Sequence, residues 1–334
     1  VSALELEYHN GGIHLPRLAL WLDPPRPQPG PVFVSHAHSD HTARHAEVIV
    51  SEATARLLDL RLGGQRTAHV LAFGESRAFK VGDVPFRITL LPAGHILGSA
   101  MALIEAGNET LLYTGDFKLR PGLAAERCEL RRADVLVMET TFGRSTFVFP
   151  PEQAVWSAVR RFCQDALEAG ATPVLLAYSL GKSQEILCGL REAGLEFALH
   201  EQTHRTTRLY ADLGMSFPTC HRFATPLGQG PVVLWPPGAR RSKSLETIGP
   251  VRCAVVTGWA VEASCRYRYG VEAAFPLSDH ADFPGLLEAV DRVRPRTVWT
   301  VHGYASEFAN VLRQRGQDAL ALSEPDQLTL GLGA

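Results

Sequence analysis

The chain has 334 residues, enough for one large domain or two ordinary ones. Hydrophobic residues make up 46% and charged residues 20%, the balance of a globular protein with a real core, and a net charge of −2 gives no general pull towards nucleic acid. No apolar run approaches the roughly 18 residues needed to cross a bilayer, which argues against a transmembrane helix and a membrane partner.

Along the first 140 residues, short strands separated by turns are expected. The segments are "LALWL" (18–22), "PVFVS" (31–35), "FRITLL" (86–91), "AMALIEA" (100–106) and "ETLLYTGD" (109–116). They alternate or form short apolar runs bounded by Gly, Pro or Asn. One helix interrupts them: Ser51 is an N-cap before "EATARLLDLRL", and Gly63-Gly64 stops it. From residue 150 the pattern becomes helix (150–170), strand (172–178), helix (182–194), strand "EFALH" and helix "EQTHRTTRLYADLG". That alternation predicts a parallel sheet. A helix (284–294), the strand "TVWTVHG" (297–303) and a helix (305–315) follow. The middle block therefore looks inserted. Residues 1–141 and 276–334 are expected to build one domain, and residues 142–275 a second.

Charge and cysteine usage add a little. The middle block carries 14 basic and 11 acidic side chains, between two acidic flanks. Such asymmetry is a weak pointer to an anionic ligand. The six cysteines are widely spaced, and none forms C-x-x-C. With no signal-peptide pattern at the start, a cytoplasmic chain with reduced thiols is expected.

The chemistry concentrates in "VSHAHSDHTARH", where His36, His38, Asp40 and His41 lie within six positions directly after an apolar strand. A loop at a strand end can turn alternate side chains to one point, and imidazole with carboxylate suits zinc, manganese or iron. One loop cannot close such a site, so partners must lie elsewhere. His95 in "LPAGHILGS", Asp116 in "LLYTGDFKL" and His302 in "TVWTVHG" all follow apolar strands. Alone, each would be a turn or capping residue; beside the cluster, each is a candidate ligand. Glu139 ends the strand "VLVMETTFG" before the middle block, and His280 stands in "PLSDHADFPG" just after it. A Ser–His–Asp triad from "SDHAD" is disfavoured, because adjacent residues rarely converge and no G-x-S-x-G elbow occurs. "LLAYSLGKSQEIL" delivers Ser179, Gly181 and Lys182 to a helix N-terminus. This is either an anion site or an ordinary strand–helix turn.

The order H-x-H-x-D-H, single His, Asp and late His resembles the metallo-β-lactamase superfamily over nearly the whole chain. The Glu139 and His280 pair around an inserted α/β block resembles its β-CASP branch. "AGHILGSA", "GDFKL", "ETTFG", "SDHAD" and "HGY" together look most like bacterial ligase-associated DNA exonucleases, related to Artemis and Apollo. The resemblance implies an α/β protein: a metallo-β-lactamase αββα sandwich with an inserted β-CASP cap. It implies two divalent ions per chain, zinc or manganese. His36, His38 and His95 would hold the first; Asp40, His41 and His302 the second; Asp116 would bridge. Asp23 in "LWLDPP" matches an acidic position that supports the ligand loop. Hydroxide attack on phosphorus would follow, with Asp40, His280 and Glu139 catalytic and Ser179, Gly181 and Lys182 on the substrate. The implied function is a 5′-directed DNA exonuclease in repair, associated with an ATP-dependent DNA ligase and a helicase. The alternative is a β-CASP ribonuclease: eukaryotic DNA-specific members carry Val at the last motif, RNA-cleaving members His, and this chain has His302.

Overall fold

The computed structural model describes residues 3–9, 11–227 and 230–322. Two sheets pack face to face. The first holds β1 (Glu7–His9), β2 (Gly12–Leu15), β3 (Leu20–Leu22), β4 (Pro31–Phe33), β5 (Glu47–Val50) and β6 (Thr67–Val70), side by side in that order. The second holds β7 (Ser76–Phe79), β8 (Phe86–Pro92), β9 (Ala100–Ala106), β10 (Glu109–Tyr113), β11 (Val135–Glu139), β18 (Thr297–Val301) and β19 (Asp318–Ala321), in the order β19-β18-β11-β10-β9-β8-β7. Period-2 alternation decides which face each residue takes. Phe33 and Ile49 meet Leu90, Ile104 and Leu111 between the sheets. Val32, Val48 and Val50 point outward, under helix α1 (Glu52–Leu62).

The outer face of the second sheet is covered by α7 (Phe283–Val293) and α8 (Ala305–Gln314), whose Leu286, Val290, Phe308 and Leu312 pack on Leu136 and Met138. The result is an αββα sandwich. Ser51 caps α1 as its sequence suggests, its hydroxyl accepting the Thr54 N–H at 3.2 Å. Such a cap stabilises a helix by about 1 kcal/mol.

The third sheet holds β12 (Thr172–Leu176), β13 (Phe197–Leu199), β14 (Cys220–Arg222), β15 (Val232–Trp235), β16 (Val251–Val256) and β17 (Ala273–Phe275). Every pairing in it is parallel, in the order β14-β13-β15-β12-β16-β17. Helix α2 (Glu152–Glu168) leads into β12, α3 (Lys182–Gly189) and α4 (Glu201–Asp212) connect β12 to β13 and β13 to β14, and the short α5 (Lys243–Glu246) and α6 (Cys265–Tyr269) lie in the later crossovers. The helix expected to run to residue 194 stops at Gly189 and continues as a 3-10 turn, Arg191–Ala193. Among the described residues no helix is long and apolar enough to cross a membrane. All six cysteines are free.

In the second sheet β10, β11 and β18 are parallel neighbours. Their carboxyl ends therefore lie side by side. The carboxyl ends of the third sheet face them across a cleft of ≈ 850 Å³. Open parallel sheets place their ligands at this edge.

Candidate metal centre

Asp116 follows β10, Glu139 ends β11 and His302 follows β18, so three neighbouring strands deliver them to one edge. β8, antiparallel to β9 as β10 is, runs the same way as β10 and delivers His95. His36, His38 and His41 come from the loop after β4 in the facing sheet, tied across by an Ala100 N–H to Ser35 O bond of 2.8 Å.

Nitrogen and oxygen atoms of His36, His38, His95 and Asp116 lie within 4.8 Å of one another. The hydrogen bonds behind these rings fix their tautomers. Ser35 Oγ–H donates to Asp23 Oδ2, so Ser35 Oγ must accept from His36 Nδ1 at 2.9 Å. His38 Nε2–H donates to the Leu180 carbonyl at 3.1 Å, and His95 Nδ1–H to the Asp279 carbonyl at 2.8 Å. Each ring has given its one proton to an acceptor behind it. What faces inward is therefore three bare lone pairs: His38 Nδ1 lies 3.0 Å from both His36 Nε2 and His95 Nε2. No proton remains to bridge those gaps, and the Asp116 carboxylate stands 3.5 Å and 3.6 Å from the same nitrogens. Lone pairs converging in a buried space need a cation among them, and this donor set suits zinc.

His41 repeats the arrangement. Its Nδ1–H donates to Asp23 Oδ2 at 2.9 Å, and Nε2 faces Asp116 Oδ1 at 3.4 Å. Asp23 is the hub of the loop: it is buried, at φ 45°, and also accepts the Ser35 N–H at 2.7 Å and the Tyr113 hydroxyl at 2.9 Å. The His302 ring lies 5.3 Å from that of His41, centre to centre. Its φ of 57° is left-handed, as is that of Gly303, where a Cβ would sit 2.5 Å from Thr140 O. The Asp40 carboxylate is 3.8 Å from His41 Nε2 but 76% exposed. It stands on the rim of the cleft, outside the tight clusters.

Electrostatics follow from burial and charge. Burial holds His36 and His95 well below their ordinary pKa and lowers His38 to about 4, which keeps all three neutral and able to ligate. Burial pushes Asp116 up to about 6. Burial opposes charge on His41 as well, yet the carboxylates of Asp116, Asp23 and Asp40 outweigh it and raise this ring to about 10. A metal bound at His41 Nε2 would displace any proton held there.

Beside this centre, His280 Nδ1–H donates to Glu139 at 2.9 Å. Glu139 also accepts the Phe117 N–H at 2.9 Å and the Thr141 hydroxyl. Burial disfavours the His280 cation, but Glu139 and Asp116 prevail and raise it to about 9. The Asp116–His280 separation of 4.0 Å joins the pair to the metal cluster.

The turn after β12 departs from expectation. Ser179 lines the cleft, half-buried, its Oγ accepting from Thr203 Oγ1 at 3.1 Å. Lys182 offers no free charge to an anion: its ammonium is buried, 2.7 Å from Asp279 Oδ1, and donates to Leu277 O at 2.9 Å. The Gly181 N–H is likewise taken, by Gln184 Oε1 at 2.8 Å. Gly181 is required for another reason: at φ 88° a Cβ would come within 2.3 Å of Ile96. The Gly181 N–H and the Lys182 ammonium are thus both engaged within the protein in this structure.

Sequence reasoning missed Ser35, Tyr113, Thr141 and Asp279. All four stand inside or beside the quoted motifs and act through residues it did find, so their hydrogen-bond partners, not their positions, are what the sequence does not show.

Comparison with known proteins agrees with this geometry. Residues 16–167 match the "Beta-lactamase superfamily domain" family, and residues 269–322 the "Zn-dependent metallo-hydrolase RNA specificity domain". An Opitutus terrae protein named "Probable DNA ligase" is 48% identical over 322 residues, 96% of this chain and 31% of that protein. The "5' exonuclease Apollo" of Gallus gallus is 30% identical over 280 residues, 80% of this chain and 57% of that one. The chain thus spans about a third and somewhat over half of these two relatives. A crystal structure of a protein of unknown function from Enterococcus faecalis shares the fold, with a TM-score of 0.56 at 12% identity over 88% of this chain and 79% of that one.

Proposed function

Because this chain belongs to the metallo-β-lactamase superfamily, in its β-CASP branch, we propose that it is a metal-dependent nuclease, a DNA exonuclease acting from the 5′ end in repair. The observation that carries the proposal is the set of unprotonated nitrogens converging beside the His280–Glu139 pair. His36, His38, His95 and Asp116 would hold one divalent ion. Asp40, His41 and His302 would hold a second, with Asp116 shared. Zinc fits the nitrogen-rich first site, and manganese suits the more carboxylate-rich second.

Bound divalent ions supply an activated water and neutralise charge on phosphoryl oxygens. The residues do the rest. Asp40, on the cleft rim, orients the attacking water. His280, oriented by Glu139, would carry the proton for the leaving oxygen. Such proton transfer contributes about 10²–10⁴-fold. Ser179 keeps its O–H for a neighbouring phosphate. Residues 142–275 form the far wall, where Tyr178, Trp259 and Arg205 line the cleft. Tyr178 is 58% exposed there, an aromatic face available for a base.

DNA is favoured by the likeness to Apollo and to the probable DNA ligase, which also supports association with an ATP-dependent ligase. An RNase reading is favoured by one observation: the segment containing His302 matches a domain described by RNA specificity. End-labelled DNA and RNA of one sequence, with Zn²⁺ or Mn²⁺, decide between them. Mononucleotides released from the 5′ end of DNA support the proposal. Degradation of RNA alone would replace it with the ribonuclease, and cleavage of neither would remove both.

A further inference from the structure

The inserted module touches the metal centre from behind. Its turn between β12 and α3 supplies the Leu180 carbonyl that takes the His38 proton. Gly181 packs directly on Ile96, the residue after His95. One turn into α3, the Glu185 carboxylate accepts the Leu123 and Ala124 N–H groups at 2.9 Å and 2.8 Å. Lys182 reaches residues 277–279, which join β17 to α7, and there it pairs with Asp279 Oδ1 and donates to Leu277 O. The Asp279 carbonyl, in turn, accepts the His95 Nδ1 proton.

This last chain of contacts gives Lys182 a role. A ligating imidazole needs an acceptor on its other nitrogen to fix tautomer and ring orientation. For His95 that acceptor is a backbone carbonyl on a loop, which holds its place only if the loop does. Lys182 and Asp279 are both buried, at 4% and 8% exposure, so neither charge has water to fall back on. Removing the ammonium would leave a buried carboxylate unpaired. The loop would then move to hydrate it and carry the carbonyl away from His95.

We propose that Lys182 is a positioning residue of the metal centre, holding through Asp279 and Leu277 the carbonyl that orients His95, so that the inserted module sets the metal affinity of the sandwich. The inference rests on His36, His38 and His95 being ligands, as proposed above.

The test measures zinc binding to the whole chain by competition with a chromophoric chelator, with no nucleic acid present. K182M should bind zinc about 10–100-fold more weakly, the usual effect of losing an outer partner of a ligand. Its cobalt-substituted form should show a changed d–d absorption spectrum. If K182M fails to fold, K182M/D279L removes both charges at similar volume, and it should still lose at least about tenfold in zinc affinity. Wild-type affinity with an unchanged cobalt spectrum, in either folded variant, would overturn the inference. So would intact zinc affinity in K182M together with a raised KM for 5′-phosphorylated DNA, which would make Lys182 a substrate contact. Zinc bound, not nucleotide released, is the readout, so a chain that binds zinc and cleaves nothing counts against the nuclease proposal alone.

Discussion

Two strand-end segments face each other across the cleft. Residues 36–41 follow β4, and residues 179–182 follow β12; both bring reactive side chains to the end of a buried strand. In the first, the ring protons of His36 and His38 point to acceptors behind the rings, and their inward nitrogens carry lone pairs with no donor to meet them. In the second, the cation and the Gly181 N–H find partners inside the protein, and only Ser179 faces the cleft with capacity left. The difference shows that a site is marked by unmet demand. Neutral imidazoles that turn unprotonated nitrogens to one point call for a cation, whereas the lysine here already has its counter-charge in a buried aspartate.

The comparison breaks most sharply at the ligands. Asp116→Asn or His38→Ala should reduce phosphodiester cleavage by at least about 10³-fold, the scale of losing a major electrostatic stabiliser. Asp116→Asn should also lower bound metal by at least one ion per chain, read by elemental analysis. Full activity with unchanged metal in Asp116→Asn would end the shared-ligand assignment. His280→Ala comes next. It should slow cleavage about 10²–10⁴-fold while leaving metal content at the wild-type value, because the ring is proposed to act on substrate and not on metal. Loss of a metal in that variant would reassign His280 as a ligand.

His302 separates metal binding from sugar choice. Its left-handed backbone disfavours a β-branched replacement, so Asn, which tolerates φ of 57°, is the cleaner change. His302→Asn should weaken the second ion, with activity recovered by excess metal. The ratio of DNA to RNA cleavage should change less than tenfold, because the 2′-hydroxyl and not the metal distinguishes the sugars. A larger change, above about 1.4 kcal/mol of differential transition-state binding, would favour the RNase reading. The smallest effect belongs to the second segment. Ser179→Ala should raise KM up to about tenfold, the value of one net hydrogen bond, with kcat and metal content unchanged. A loss of metal there would show that this turn serves the centre through its serine as well.

The convergence of the candidate ligands was legible because a metal site needs several scarce residue types at once, and strand ends are where the fold can gather them. "SHAHSDH" states its need within a few positions, and β8, β10 and β18 supply the rest from one sheet edge. The outer contacts were not legible. Ser35, Tyr113 and Asp279 act by hydrogen bonds across 12 to 184 residues of sequence, and no spacing rule announces such pairs. The partner of Lys182 was not legible for a related reason: a Gly-Lys pair at a helix start looks the same whether it faces a phosphate or the protein's own Asp279. In the fold, β8, β9 and β10 were readable from their alternation. Short strands such as β14 and β17, three residues each, exist through pairing with neighbours more than through local pattern.

The central claim is that unprotonated nitrogens at the strand ends hold metal that drives cleavage of a nucleic-acid strand. Its most direct test is to strip the protein with chelator, return Zn²⁺ or Mn²⁺ stepwise, and follow release from 5′-labelled single-stranded DNA against metal bound per chain. The stripped protein should cleave nothing, and activity should rise with occupancy to a plateau at two ions. Full-rate cleavage by protein shown by elemental analysis to be free of metal would contradict it.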